Sequence, residues 1–273
     1  MRISLATDPS TPDWPNEDFA AAAPDVAVLL DGAGTPGGRE SGCGHGVAWF
    51  ARTLGGLALA HASDRGQSLT DALSLSIEQV SSLHAGTCDL THPGTPSATV
   101  IMARQHAGTL EYLVLCDSIL LLRRLDGEVR VVSDMRLDEL SARLRPALRP
   151  PPASKAERAA RRQEYLTRLD AARNKPDGYW VAATDPDAAR HAFTGSEPVS
   201  ELASVALLSD GAGRITERYH QATWPEVSTI LTEHGPAGLI SRVRAVEASD
   251  ADAERWPRGK LRDDATALYW PFS

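Results

Sequence analysis

Apolar residues recur along this chain in two rhythms that change places several times. Residues 2–7 (RISLAT) and 26–31 (VAVLLD) are runs of strand length, separated by a polar, proline-rich connection that contains Asn16, Glu17 and Asp18. From His45 to His61 the spacing turns helical, with Val47, Phe50, Leu54 and Leu57 on one face, and residues 69–85 repeat it after a Ser-Leu-Thr-Asp start. Between Ser97 and Asp134 the chain returns to β-branched and aliphatic runs, SATVIMA, EYLVLCD, ILLLRRL and EVRVVSD, punctuated by Gly108 and Asp126-Gly127. This pattern predicts an antiparallel meander with Asp117-Ser118 in the bend of its second hairpin.

Residues 136–175 differ. RLRPALRPPP ends one helical segment, because proline is excluded from a helix interior, and KAERAARRQEYLTRLDAARN starts another that is strongly charged. Glu157, Glu164 and Asp170 interleave with the arginines, as on a solvated helix with i,i+4 pairs rather than a nucleic-acid surface. Gly178-Tyr179-Trp180 then reads as core. A helix near Pro186–Phe193, a strand SVALLSD, helices across 224–256 and a closing strand TALYW complete the pattern. Strands in bulk and helices in bulk predict an α+β fold rather than a doubly wound sheet. Residues 1–273 read as one domain, with a helical, flap-like insertion at about 136–176.

Composition narrows the function. A net charge of -8 with no concentrated basic face argues against nucleic-acid binding. No window reaches about 18 uninterrupted apolar residues, so no membrane segment is expected, and the N-terminus lacks the pattern of a secretory leader. A cytoplasmic protein is expected. The three cysteines, Cys43, Cys88 and Cys116, cannot all pair and are expected to be reduced. Cys43, His45, His84 and Cys88 have the spacings CxH and HxxxC, which lack the CxxC or HxxxH knuckles of zinc sites, so His45 is read as packing or capping at a helix start.

The candidate chemistry lies in carboxylates far apart in sequence. Asp31 in VAVLLDGAG, Asp210 in VALLSDGAG and Asp263 in LRDDATALYW each stand where an apolar run meets a turn. Carboxylates gathered at one sheet rim repel each other by several kcal/mol unless a cation lies between them, and hard ions such as Mg²⁺ or Mn²⁺ accept all-oxygen sites. Aspartate also favours turns, so any one of these positions alone says little.

The ordered set says more. NED (16–18), LLDGAG (29–34), SATV (97–100), LVLCDS (113–118), LLSDGAG (207–213) and RDDAT (262–266) together resemble the bacterial members of the metal-dependent Ser/Thr protein phosphatase family, type 2C or PPM. The resemblance runs in order over nearly the whole chain. It implies a four-layer αββα sandwich, two antiparallel sheets flanked by helices, with two Mn²⁺ or Mg²⁺ ions in a cleft at one end. By resemblance Asp31 bridges the ions, the Gly32 carbonyl binds one, and Asp210 and Asp263 bind the other. Glu17 and Asp18 match the acidic pair that holds metal-bound waters, Asp117 matches a ligand of a third ion, and Asp264 falls to turn or supporting duty. Two cations about 3.5–4 Å apart can offset the charge of a phosphomonoester and lower the pKa of a water between them. The implied activity is hydrolysis of phosphoserine or phosphothreonine in a phosphorylated protein substrate.

Several positions depart from the family pattern. Asp13 stands where some members place a basic residue for substrate phosphate, so phosphate capture is expected either from elsewhere, for example Arg39 in the glycine-rich loop, or to be weak. Ala33 follows the Asp-Gly pair where eukaryotic members have histidine, and Arg214 stands where some members have a further acidic ligand. These departures motivate an alternative: a catalytically silent relative that binds metal or a phosphoprotein as a regulatory module.

Overall fold

The computed structural model describes residues 3–34, 40–145 and 154–272. Ten strands and six α-helices alternate along it: β1 (Ser4–Asp8), β2 (Phe19–Ala23), β3 (Val26–Ala33), α1 (Val47–Ala62), α2 (Leu69–His84), β4 (Ser97–His106), β5 (Thr109–Leu115), β6 (Ile119–Arg124), β7 (Val129–Val132), α3 (Arg136–Leu144), α4 (Lys155–Ala172), β8 (Phe193–Pro198), β9 (Leu202–Leu208), α5 (Asp210–Glu217), α6 (Trp224–Ser249) and β10 (Ala265–Pro271). The strands form two antiparallel five-stranded sheets, ordered β1-β10-β9-β6-β7 and β2-β3-β4-β5-β8. The fold is α+β, four layers deep, as expected.

The layering follows from strand geometry, because successive side chains point to opposite faces. Ala27 and Leu29 of β3 join Ile101, Leu207, Leu268 and Trp270 in the core between the sheets. Val26, Val28 and Leu30 point the other way and pack under Phe50, Leu54, Leu73 and Ile77 of α1 and α2. On the far side Ile119, Leu121 and Leu208 pack under Ile215, Val227, Leu231 and Val243 of α5 and α6. With both sheet faces covered, the central strands read as continuous apolar runs instead of an alternation.

The run from Ser97 to Asp134 is not one meander. β4 pairs with β5 and β6 with β7, but β5 and β6 belong to different sheets. Cys116-Asp117-Ser118 is therefore a crossover between sheets, not a hairpin bend, and Cys116 takes a left-handed φ of 69° to make it. Strand-length apolar runs at short spacing fit a hairpin and a sheet change equally well, so the pattern alone does not separate the two. Ser141 and Tyr165 hydroxyls lie 2.6 Å apart between α3 and α4, and Leu137, Leu144 and Leu169 pack against buried Cys116, Tyr179 and Val181. Arg161 pairs with Glu157 and Arg168 with Glu164, as the charge pattern predicts for α4. No helix among the described residues is long and apolar enough to cross a membrane.

Candidate active site

Strand register brings the acidic motifs to one end of the sandwich. Asp31, near the end of β3, lies opposite Thr99 at the start of β4. In the other sheet Leu208, the last residue of β9, is opposite both Ile119 at the start of β6 and Ala267 near the start of β10. Asp117 just before β6, Asp210 just after β9 and Asp263 just before β10 must then share a rim. The backbone N–H of Asp210, at the first residue of α5, donates to Asp31 Oδ2 at 3.3 Å and ties the two sheets together there.

The electrostatics show how crowded this rim is. Desolvation holds the Asp31 carboxyl well above the usual carboxylate range, and the charges of Asp18, Asp210, Asp263 and Asp117 push it further. Asp18 is pushed up to about 7 by burial, against the pull of the Thr266 and Ser209 hydroxyls, and its Oδ2 is buried with no hydrogen-bond partner. Asp117 also rises to about 7, through burial and then the charges of Asp210 and Asp138. Burial raises Glu17 as well. Oxygen donors whose pKa values are raised by burial and by neighbouring carboxylates, with a buried carboxylate oxygen left unpaired, are a donor set suited to a hard divalent cation.

Asp263 behaves differently. Its Oδ2 takes an ion pair from Arg214 of α5, and its Oδ1 lies 2.7 Å from Lys260 Nζ. The Arg214 side chain is 11 % exposed and that of Lys260 62 %. Desolvation and Asp210 raise Asp263, while the two cations pull it down. Asp264 is no mere turn residue: its carboxylate accepts from the backbone N–H groups of Ser10 at 2.6 Å and Glu17 at 2.7 Å, so it anchors the segment that carries Glu17 and Asp18.

Two glycines are set by close approach. The Gly32 N–H donates to the Glu17 carbonyl at 3.1 Å, and a Cβ on Gly32 would fall 2.5 Å from that oxygen. A Cβ on Gly211 would fall 1.9 Å from the Asp264 carbonyl oxygen, so the start of α5 seats directly on the Asp263-Asp264 turn. Hydroxyls lock the frame. Thr99 Oγ1 accepts from the Asp31 N–H at 3.3 Å and lies 2.5 Å from Ser118 Oγ, which explains Thr99 and Ser118 in their motifs. Ser209 Oγ accepts from the Thr266 N–H at 2.9 Å.

Beside the rim is a cavity of ≈ 670 Å³ lined by Asp117, Asp138, Asp210 and Glu217 together with Arg145, Arg214, Arg218 and Arg255. Arg39 lies outside the described residues, as do positions 35–38 of the glycine-rich loop. Apart from Arg214, the cavity arginines carry no sequence signal, because Arg145 and Arg218 cap the C-terminal ends of α3 and α5 and Arg255 lies in the segment after α6, with no common motif. Arg255 is set by Asp250, whose Oδ1 accepts its N–H at 3.0 Å, while Arg258, paired with Asp250 Oδ2, secures the same turn.

The spacings of Cys43, His45, His84 and Cys88 argue against a zinc site and for His45 packing or capping at a helix start, yet the fold brings the four together. Their ligand atoms lie within 4.8 Å of one another, the only such group of three or more among the described residues. His45 does not cap α1, whose N-cap is Gly46; its ring stacks on Trp49 with centroids 4.3 Å apart.

Four layers, with acidic loops at one end, define the architecture of PPM-type Ser/Thr phosphatases. The chain resembles the solved serine/threonine phosphatase PstP/Ppp of Mycobacterium tuberculosis, with a TM-score of 0.60 at 16 % identity over 100 % of this chain and 98 % of that one. It resembles equally the PPM phosphatase MsPP of Mycobacterium smegmatis, solved with cacodylate, with a TM-score of 0.60 at 16 % identity over 100 % of this chain and 99 % of that one. A PstP catalytic domain solved with 2 manganese ions gives a TM-score of 0.56 at 16 % identity over 99 % of this chain and 97 % of that one. Among curated proteins, none matches the sequence. The Protein phosphatase 2C family model matches residues 12–241, and the chain belongs to that family.

Proposed function

We propose that this protein is a divalent-metal-dependent phosphomonoesterase that removes phosphate from phosphoserine or phosphothreonine in proteins. The observation that carries the reading is geometric: strand register gathers Asp31, Asp117, Asp210 and Asp263 at one rim, where the Asp210 N–H meets Asp31 Oδ2 at 3.3 Å, next to a cavity that also presents arginines. Asp31, Asp210, Asp263 and the Gly32 carbonyl would hold two Mn²⁺ or Mg²⁺ ions, and Asp117 would contribute to a third. Bound there, such ions supply charge to offset the phosphate dianion and an acidified water as nucleophile. Glu17 and Asp18, on the segment that Asp264 anchors, would hold and orient that water. Arg218 and Arg255 face the same cavity and are suited to the substrate's phosphate. Asp138 and Arg145, at the two ends of α3, border it from the insertion, which we read as a flap that selects the substrate. The site of action is taken to be the cytoplasm.

The test is hydrolysis of p-nitrophenyl phosphate with and without Mn²⁺. Activity should require the metal and vanish in Asp31→Asn and Asp210→Asn; metal-independent turnover would overturn the reading. Deleting residues 150–172 should cost more activity on a phosphoprotein than on the aryl phosphate.

The pairing of Asp263 with Arg214 and Lys260 favours one second reading, a member that binds phosphoprotein without turnover because its own cations compete with the metal. Phosphopeptide binding with no hydrolysis at saturating Mn²⁺ would select it.

A further inference from the structure

A second cluster of ligands, of different chemistry, lies at the end of the helical hairpin. α1 and α2 are antiparallel neighbours of 16 residues each, so the segment entering α1 and the segment leaving α2 meet at the same end. Cys43 and His45 come from the first segment, His84 is the last residue of α2, and Cys88 follows it. Cys43 Sγ is 3.8 Å from His45 Nδ1, 3.6 Å from His84 Nδ1 and 3.3 Å from Cys88 Sγ, and Cys88 Sγ is 3.3 Å from His45 Nδ1. A tetrahedral ion with Zn–S near 2.3 Å and Zn–N near 2.05 Å spaces its ligands at about 3.8 Å (S···S), 3.6 Å (S···N) and 3.4 Å (N···N). These four edges lie within about 0.5 Å of the tetrahedral values, and the remaining two, from His84 Nδ1 or Nε2 to His45 and to Cys88, fall within 4.8 Å.

We propose that Cys43, His45, His84 and Cys88 form a tetrahedral Zn²⁺ site, separate from the carboxylate rim. Burial supports it. His84 is 1 % exposed, its Nε2 has no hydrogen-bond partner, and its Nδ1 points to Cys43, so its polar commitment is directed into the cluster. A histidine kept only for packing would leave that group better replaced by an apolar residue. Soft sulfur and imidazole donors select zinc over the hard ions suited to Asp31 and Asp210. Binding takes both sulfurs as thiolates, releases their protons and gives a site of zero net charge.

The frame for the site is built by backbone contacts as well. The Asp89 N–H donates to the Gly42 carbonyl at 2.8 Å, and Gly42 has a left-handed φ of 70° with no room for a Cβ, which would fall 2.5 Å from His92 Cβ. Zinc would therefore staple the segment that enters α1 to the end of α2.

The test uses the full chain, purified under reducing conditions without chelator, with Zn²⁺ and Co²⁺ as probes. Elemental analysis should find one equivalent of Zn²⁺, and Co²⁺ should give the intense visible bands of a tetrahedral thiolate site. Cys43→Ser and Cys88→Ser should each lose that equivalent. His45→Ala, at an exposed position, keeps the fold observable if the cysteine variants do not fold, and should weaken Zn²⁺ at least tenfold. Asp31→Asn should retain the zinc and the cobalt spectrum, which separates this site from the rim. Absence of Zn²⁺ after reconstitution, zinc retained in full by Cys43→Ser, Cys88→Ser and His45→Ala, or a Cys43–Cys88 disulfide as the only product of the reduced protein on handling in air would overturn the proposal.

Discussion

The carboxylate rim and the thiol–imidazole cluster are two solutions to holding charge on one scaffold. At the rim, oxygens from both sheets approach until their pKa values rise, and the protein offsets part of that repulsion with its own cations, Arg214 and Lys260 on Asp263. In the cluster the four ligands have one another as their main polar partners, with the Thr87 hydroxyl 3.7 Å from Cys88 Sγ. Under the proposed function the rim would take exchangeable hard ions and a changing substrate. The cluster is closed on all four corners, the mark of a site whose metal serves structure.

The sharpest way to break this comparison is at Asp31. Asp31→Asn should lower Mn²⁺-dependent hydrolysis of p-nitrophenyl phosphate by about 10³-fold, about 4 kcal/mol of transition-state stabilisation, while thermal unfolding changes little. Equal loss of stability and activity would mean that the rim carries the fold as the cluster does. Next in size is Arg214→Ala. It removes a mostly buried partner from Asp263 and should destabilise the metal-free protein by about 1–3 kcal/mol in denaturant titration, yet tighten Mn²⁺ binding measured by calorimetry.

Proton linkage gives the third. Asp18 and Asp117 have folded-state pKa values of about 7 against 3.8 for the free side chain, so the metal-free fold binds protons more tightly than the unfolded chain. That contribution is complete below pH 3.8 and is lost as pH rises through about 7. The melting temperature of metal-free protein should therefore fall between pH 5.5 and 8, and Mn²⁺ should raise it more at pH 8. A Mn²⁺ gain that is the same at both values would contradict the assigned repulsion. Smallest is Lys260→Ala: because the side chain is exposed, stability should move by no more than about 0.5 kcal/mol, with Mn²⁺ affinity rising roughly three- to tenfold.

Legibility in the sequence followed the strength of local signals. β3, β4 and β9 stand out as apolar runs because both faces are covered, and α1 and α2 as helical spacings because one face packs on a sheet. β2 was hidden, since FAAAA has little β-branched character, and so was β8, an edge strand with a glycine and a terminal proline. α5 looked like a turn because DGAG is rich in turn residues; it is helical because its buried Ala212 and Ile215 pack under α6 and its glycines permit contact with Asp264 and Ile119. The break in α6 at Gly235, with a left-handed φ of 67°, and Pro236 matches the expectation of more than one helical stretch there.

By itself the sequence determined the class of the fold, the order of its acidic motifs and the family to which they point, because those depend on local periodicity and on which residue ends each strand. Tertiary structure alone decided that β5 and β6 part company across two sheets, that Arg214 and Lys260 sit on Asp263, and that two cysteines and two histidines meet. The reason is distance. A return over two helices of 16 residues, each about 24 Å long, closes a gap that no spacing rule spans, and only packing fixes where the two ends come to rest.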